Sequence, residues 1–213
     1  MKRLLPQIKK LRVKICEIAR RMYTNGFISS TDGNISAKIT EDLFLCTPSN
    51  KCKGEIKPEE ILLVNKMGEK VVGDGVVSSE FFTHLSAYEE RSDVSAVIHA
   101  HPPFSVVVSL VEISLTEPVL PELIMTLGKV PTTDYATPGT SEGAKVIKPW
   151  VKNHNAIILK SHGVLTLGKD LEQAYIFLER VEHSAKIIFL AHLIKKPRRL
   201  NITQIKKLGK LGL

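Results

Sequence analysis

Two histidines one residue apart close an apolar run in "VIHAHPP", Val97 to Pro103. In an extended chain, side chains at i and i+2 project from the same face, so His99 and His101 offer two imidazoles to one side. Pro102 and Pro103 cannot continue a central ladder, which predicts a strand that ends at the pair. A third histidine, His162, stands in "ILKSHGVLTLG" beside Gly163, and a carboxylate, Glu80, stands in "VVSSEFFTH". Three neutral imidazoles suit a divalent transition ion, most simply zinc, and a carboxylate can complete the set or act as a base. An ion with an exchangeable position serves catalysis rather than structure. Spacing does not bring His162 to the other two; the fold must do that. His84, His154, His183 and His192 fall on helices or at helix ends without clustered partners and read as structural residues.

Three short loops suit an anion. "TDGNIS" carries Gly33 and Asn34, "TPSN" carries Ser49 and Asn50, and "SSE" puts Ser78 and Ser79 at a helix start. Backbone N–H groups and the helix dipole favour a phosphate at such places. Turn and capping chemistry explains each loop singly. Together they imply a phosphate pocket beside Glu80, with the phosphorylated end of a substrate near the ion.

These residues need a scaffold. Helical spacing of Ile8, Leu11, Ile15, Ile18, Ala19 and Met22 predicts a helix over 7–24, stopped by Asn25-Gly26. "NISAKI", "DLFLCT", "ILLVNK" and "EKVVG" read as short strands separated by turns, which suggests antiparallel pairing among them. A helix over "SSEFFTHLSAYEER" takes Ser78 or Ser79 as its N-cap. "VSAVIHAH" is a strand, and "PPFSVVVSL" a helix opened by proline. "KVPTTDYATPGT" is irregular, "SEGAKVIKPWVKNH" helical, and two strands flank His162-Gly163. A long helix over 170–196, capped by Asp170, spans about 39 Å at 1.5 Å per residue. Strands first, then helices alternating with strands, point to one α/β domain over 1–213, with a mixed sheet covered by helices.

The composition is that of a globular chain: 213 residues, 43% hydrophobic, 24% charged. No run is long and apolar enough to span a bilayer, so no membrane partner is expected. Lysines and arginines interrupt the first apolar stretch, unlike a signal peptide, and Cys16, Cys46 and Cys52 have no zinc-type spacing; a cytoplasmic location is expected. The net charge is +8, concentrated at the N-terminus and in "KKPRRLNITQIKKLGKLGL". No aromatic residues interleave with these charges, so they read as solvated helix faces, or as steering for an anionic substrate, rather than as a nucleic-acid surface.

The ordered set "GNIS", "TPSN", "SSE", "HAHPP", "DYATPGT" and "SHG" resembles the class II aldolase and adducin N-terminal family, from about Arg12 to His192. Within it the chain is most similar to the L-fuculose-1-phosphate aldolases. The resemblance implies an α/β/α fold around a mainly antiparallel sheet and a homotetramer with active sites at subunit interfaces. It implies one zinc ion per chain on Glu80, His99, His101 and His162, with Glu80 also moving protons. It puts phosphate on Gly33, Asn34, Ser49, Asn50, Ser78 and Ser79, and makes Tyr135 the proton donor to the aldehyde oxygen. The implied reaction cleaves a ketose 1-phosphate, such as L-fuculose 1-phosphate, into dihydroxyacetone phosphate and a short aldehyde. The chain departs from the aldolases in two places: Asn50 stands where they commonly carry glycine, and Pro138 stiffens "YATPGT". The family also holds methylthioribulose-1-phosphate dehydratases, whose base falls near Glu122, ribulose-phosphate 4-epimerases, and adducin-like modules that bind partners without metal.

Overall fold

The computed structural model describes residues 5–209. Seven strands form one sheet: β1 Asn34–Lys38, β2 Leu43–Cys46, β3 Leu62–Asn65, β4 Lys70–Val72, β5 Ala96–Ala100, β6 Ala156–Leu159 and β7 Gly163–Gly168. Their order is β4-β3-β2-β1-β5-β7-β6. Every neighbouring pair of named strands is antiparallel, which corrects the mixed sheet read from the element order. Helices alternating with strands suggest parallel crossovers only when successive strands lie in one direction. Here β5 follows a helix but pairs with β1 and β7, running opposite to both.

The period-2 alternation of each strand builds two cores. Ile35, Leu45, Leu63, Ile98, Ile158 and Val164 face one way, against α1 (Leu5–Thr24) and α6 (Leu171–Ile194). Phe44, Leu62, Val64, Val97, Ile157 and Leu165 face the other way, against α2 (Phe81–Glu90) and α5 (Glu142–Val151). The result is three layers, α/β/α. Helix α1 buries Ile8, Ile15, Ile18, Ala19 and Met22, the stripe expected from its spacing. Helix α6 has 24 residues, and Asp170 Oδ1 accepts the Gln173 N–H at 2.8 Å as its cap. It ends two residues short of the expected boundary. α3 (Pro103–Leu110) opens on proline as expected, and two short helices, α4 (Pro121–Thr126) and α7 (Ile202–Gly209), were not foreseen as separate elements. No helix of the described residues is long and apolar enough to cross a membrane.

Antiparallel order decides where the chemistry collects. β1 begins, β5 ends and β7 begins at the same edge of the sheet, because Asn34 pairs with His99 and His99 with Leu165. β2 ends there too, with Cys46 opposite Ser36. The loops carrying Gly33, Ser49, His101 and His162 therefore meet at one end, beside the start of α2.

Candidate active site

His99 is 1% exposed at the end of β5. Its Nδ1 lies 3.1 Å from the Val164 carbonyl. A carbonyl only accepts, so Nδ1 carries the proton and Nε2 keeps its lone pair. That Nε2 is 2.9 Å from His101 Nε2, a separation that calls for a proton or a cation between two lone pairs. On its other side, His101 Nδ1 lies 3.6 Å from Asp32 Oδ2. His162 completes a near-equilateral triangle, with ring centroids 4.6 Å from His99 and 4.8 Å from His101. One ligand atom from each of the three lies within 4.8 Å of the others.

Burial first, then the two neighbouring imidazoles, holds His99 well below the usual histidine range. Burial is also the main cause lowering His162, and Glu80 opposes it. Imidazoles kept neutral are the form that binds a metal ion. The donor set, the tautomer of His99 and the lowered proton affinity of His99 and His162 fit a divalent ion. The close packing demands Gly163: a Cβ there would meet the Ala100 carbonyl and lie 2.8 Å from His101 Cδ2 and 3.0 Å from His99 Cε1.

Glu80 is half-buried just ahead of α2. Its Oε2 accepts the Asn34 amide at 2.8 Å and lies 3.5 Å from His99 Nε2, while Oε1 lies 3.6 Å from His162 Nε2. Glu80 itself occupies the cap position of α2 without making a side-chain cap bond. This corrects the expectation that Ser78 or Ser79 caps the helix. Ser78 Oγ accepts only the Glu80 N–H, at 3.3 Å, and both serines line the cleft instead.

That cleft has a volume of about 300 Å³, and Gly33, Asn34, Ser49, Asn50, Ser78, Ser79, Glu80, His101 and His162 all line it. Asn50 has φ 56°, in the left-handed region that glycine adopts freely and asparagine tolerates. The asparagine at this turn thus has a backbone reason. Gly33 is also left-handed, at φ 68°, and a Cβ there would lie 2.8 Å from the His99 carbonyl. Tyr135 is 61% exposed and does not line the cleft, although Pro138 and Gly139 of its segment do. Glu122 is exposed in the first turn of α4, also off the cleft.

Two charged lining residues were not foreseen: Asp32, beside His101, and Lys53, which is 2% exposed. Asp32 was legible in "TDGN" as a neighbour of Gly33. Lys53 was not, since Lys51, Lys53 and Lys57 differ only in burial. The other histidines stand largely as expected: His154, just past α5, and His192, in α6, turn Nδ1 to helix carbonyls, and His183 is exposed. His84 is buried, with Nδ1 at 2.8 Å from Ser36 Oγ.

Residues 13–189 match the model of the Class II Aldolase and Adducin N-terminal domain. The chain belongs to this family. It is 34% identical over 188 residues to an L-fuculose phosphate aldolase of Methanocaldococcus jannaschii, covering 88% of this chain and 99% of that one. It is 29% identical over 186 residues to a 3-oxo-tetronate 4-phosphate decarboxylase of Escherichia coli, covering 85% and 87%. A solved L-fuculose 1-phosphate aldolase superposes with a TM-score of 0.86 at 28% identity, covering 95% of each chain. The named relatives thus divide between two carbon–carbon bond cleavages.

Proposed function

We propose that the chain is a zinc-dependent aldolase that cleaves a ketose 1-phosphate of the L-fuculose type into dihydroxyacetone phosphate and a short aldehyde. The observation that carries this reading is the single cleft in which three phosphate-suited loops, Glu80 and two of the clustered histidines meet. His99, His101 and His162 would hold the ion, with Glu80 close enough to complete the set. Its chemistry there is Lewis-acid polarisation of the ketose oxygens.

The remaining work falls to the chain. Gly33, Asn34, Ser49, Asn50, Ser78 and Ser79 hold the phosphate and so fix the ketose carbons. Tyr135 relays the proton of the carbon 4 hydroxyl to solvent as that carbon becomes an aldehyde. In synthesis the same phenol gives the proton back to the aldehyde oxygen. The electron pair of the broken bond passes into an enediolate, and Glu80 relays a proton from solvent to its carbon. Because Tyr135 is exposed and off the cleft, this role goes with a homotetramer in which a neighbouring subunit's segment closes each site. The exposed Leu190, Leu193 and Ile194 of α6, Leu110 at the end of α3 and Val111 after it supply apolar surface for such contacts. A cytoplasmic enzyme acting on a small sugar phosphate fits this picture.

The decarboxylase relatives favour a second reading on the same site. Loss of carbon dioxide from a 3-oxo acid 4-phosphate leaves the same enediolate of dihydroxyacetone phosphate. The departing group then has no hydroxyl proton to lose, so Tyr135 has no task. Metal-loaded protein should release dihydroxyacetone phosphate from L-fuculose 1-phosphate, monitored by a coupled reductase. Carbon dioxide release from 3-oxo-tetronate 4-phosphate, with no turnover of the ketose, replaces the aldolase by the decarboxylase.

A further inference from the structure

Lys53 is a buried cation that the reaction outlined above leaves without a role. It is 2% exposed and lines the cleft. Its Nζ donates to the Thr31 carbonyl at 2.8 Å and to the Lys51 carbonyl at 2.9 Å. Those carbonyls belong to the two loops that carry Gly33-Asn34 and Ser49-Asn50. An ammonium has three N–H donors, and the third has no acceptor among the described residues. No carboxylate among them lies within 4.0 Å of it. Asp32, the acid that acts on it through space, is turned toward Ser29, whose Oγ donates to it at 3.0 Å.

Burying an ammonium is costly unless it is paired and hydrogen-bonded, and two neutral carbonyls supply only the second of these. The missing partner is an anion. The cleft it faces is lined by Ser49, Ser78 and Ser79, whose hydroxyls can donate to an anion's oxygens. The other charged side chains facing that cleft are Asp32 and Glu80, both acidic. A phosphoryl dianion entering there would meet one fixed positive side chain.

We infer that Lys53 is a substrate-binding residue whose third N–H donates to an oxygen of the substrate's phosphoryl group, with its other two donors tying the phosphate loops together around it. The inference rests on the sugar-phosphate reading above and adds to it the group that selects a charged over a neutral end. The charged hydrogen bond has the strength to matter: losing one weakens binding about 10- to 100-fold.

The test titrates inorganic phosphate into the metal-loaded full chain by calorimetry, as wild type, Lys53→Met and Lys51→Met. Lys51 is exposed and pairs with Glu60, so its variant controls for loop charge in general. Lys53→Met should bind phosphate about 10- to 100-fold more weakly with metal content unchanged, and Lys51→Met should bind as wild type does. Equal phosphate affinity in Lys53→Met and wild type overturns the inference, even where the variant melts earlier, because only the loop-tying role is then real. Wild type that binds no phosphate removes the sugar-phosphate reading itself, and the inference with it. Should Lys53→Met fail to fold, the ¹⁵Nζ signal of the buried ammonium in wild type decides. It should move on phosphate addition, and a signal that stays in place counts against the contact.

Discussion

Two carboxylates, each at the start of a helix, divide the molecule into a finished region and an open one. Glu182, on α6, is 7% exposed and accepts three hydrogen bonds: Phe104 N–H and Ser105 N–H at 2.8 Å, and Ser105 Oγ at 2.7 Å. It caps α3 from across the structure, where a negative charge meets the positive end of the helix dipole. Glu80, ahead of α2, accepts one side-chain hydrogen bond, from Asn34, and otherwise faces two imidazoles beyond 3.4 Å, at 3.5 and 3.6 Å. The wall around Glu182 encloses the larger cavity, about 660 Å³ against about 300 Å³ around Glu80. Size and burial therefore point to Glu182 rather than to Glu80. What separates the two is completeness: the fold satisfies Glu182 and leaves Glu80 poised for something it does not itself contain.

The comparison breaks most sharply at the histidines. His99→Ala with His101→Ala should take metal content from one ion per chain to none. Cleavage should fall by at least about 10³-fold, the several kcal/mol a Lewis acid supplies. The far-ultraviolet circular dichroism should be unchanged. Full metal content in that variant would remove the open region's defining feature.

On the finished side, Glu182→Ala strands three donors at the start of α3. Unfolding free energy should fall by about 3 kcal/mol in urea, with metal content per folded chain preserved. A variant as stable as wild type would mean that the capping network is ornamental.

Tyr135→Phe sharpens the open side. It should slow aldol cleavage by about 10²-fold, the lower end for a proton-transfer group, while the affinity for inorganic phosphate stays the same. Unchanged turnover on a true ketose substrate takes Tyr135 out of the reaction and leaves the decarboxylation reading stronger.

A smaller effect separates the regions by pH. Burial pushes His84 down to about 3, behind its contact with Ser36. The unfolded chain takes a proton at that residue near pH 6.5, and the folded chain does not until much lower pH. The unfolded state therefore gains as pH falls, and stability from this residue is full above about 6.5. It is lost at about 1.4 kcal/mol per pH unit between there and the folded value. Urea titrations of wild type and His84→Gln at pH 7, 6 and 5 should show that decline as a difference between the two, and parallel profiles would take His84 out of the pH dependence.

The sequence made the first half of the site legible because it is local. His99 and His101 sit at i and i+2 on a strand closed by two prolines, and period 2 alone puts them on one face. His162 needed β7 beside β5 in antiparallel register, a pairing no local pattern encodes. The residue pattern by itself suggested a mixed sheet, and the antiparallel order came with the family resemblance. Ser78 and Ser79 look like N-caps by type, yet the chain enters α2 one residue later and turns them to the cleft. Lys53 was hidden for a physical reason: its neighbours at 51 and 57 have the same chemistry, and only tertiary burial singles it out. Glu182 was hidden likewise, since it caps a helix 77 positions away in the chain.

The central claim is that Glu80 moves a proton at the carbon beside the carbonyl of a phosphorylated ketone. Solvent deuterium exchange into dihydroxyacetone phosphate tests it without any aldehyde. Metal-loaded wild type should exchange one carbon-bound hydrogen. Glu80→Gln, with its metal retained, should exchange about 10² to 10⁴ times more slowly, the usual worth of a general base. Glu122→Gln, altered at an exposed carboxylate away from the cleft, should exchange as wild type does. Normal exchange in Glu80→Gln beside a dead Glu122→Gln would contradict the account and move the base to α4.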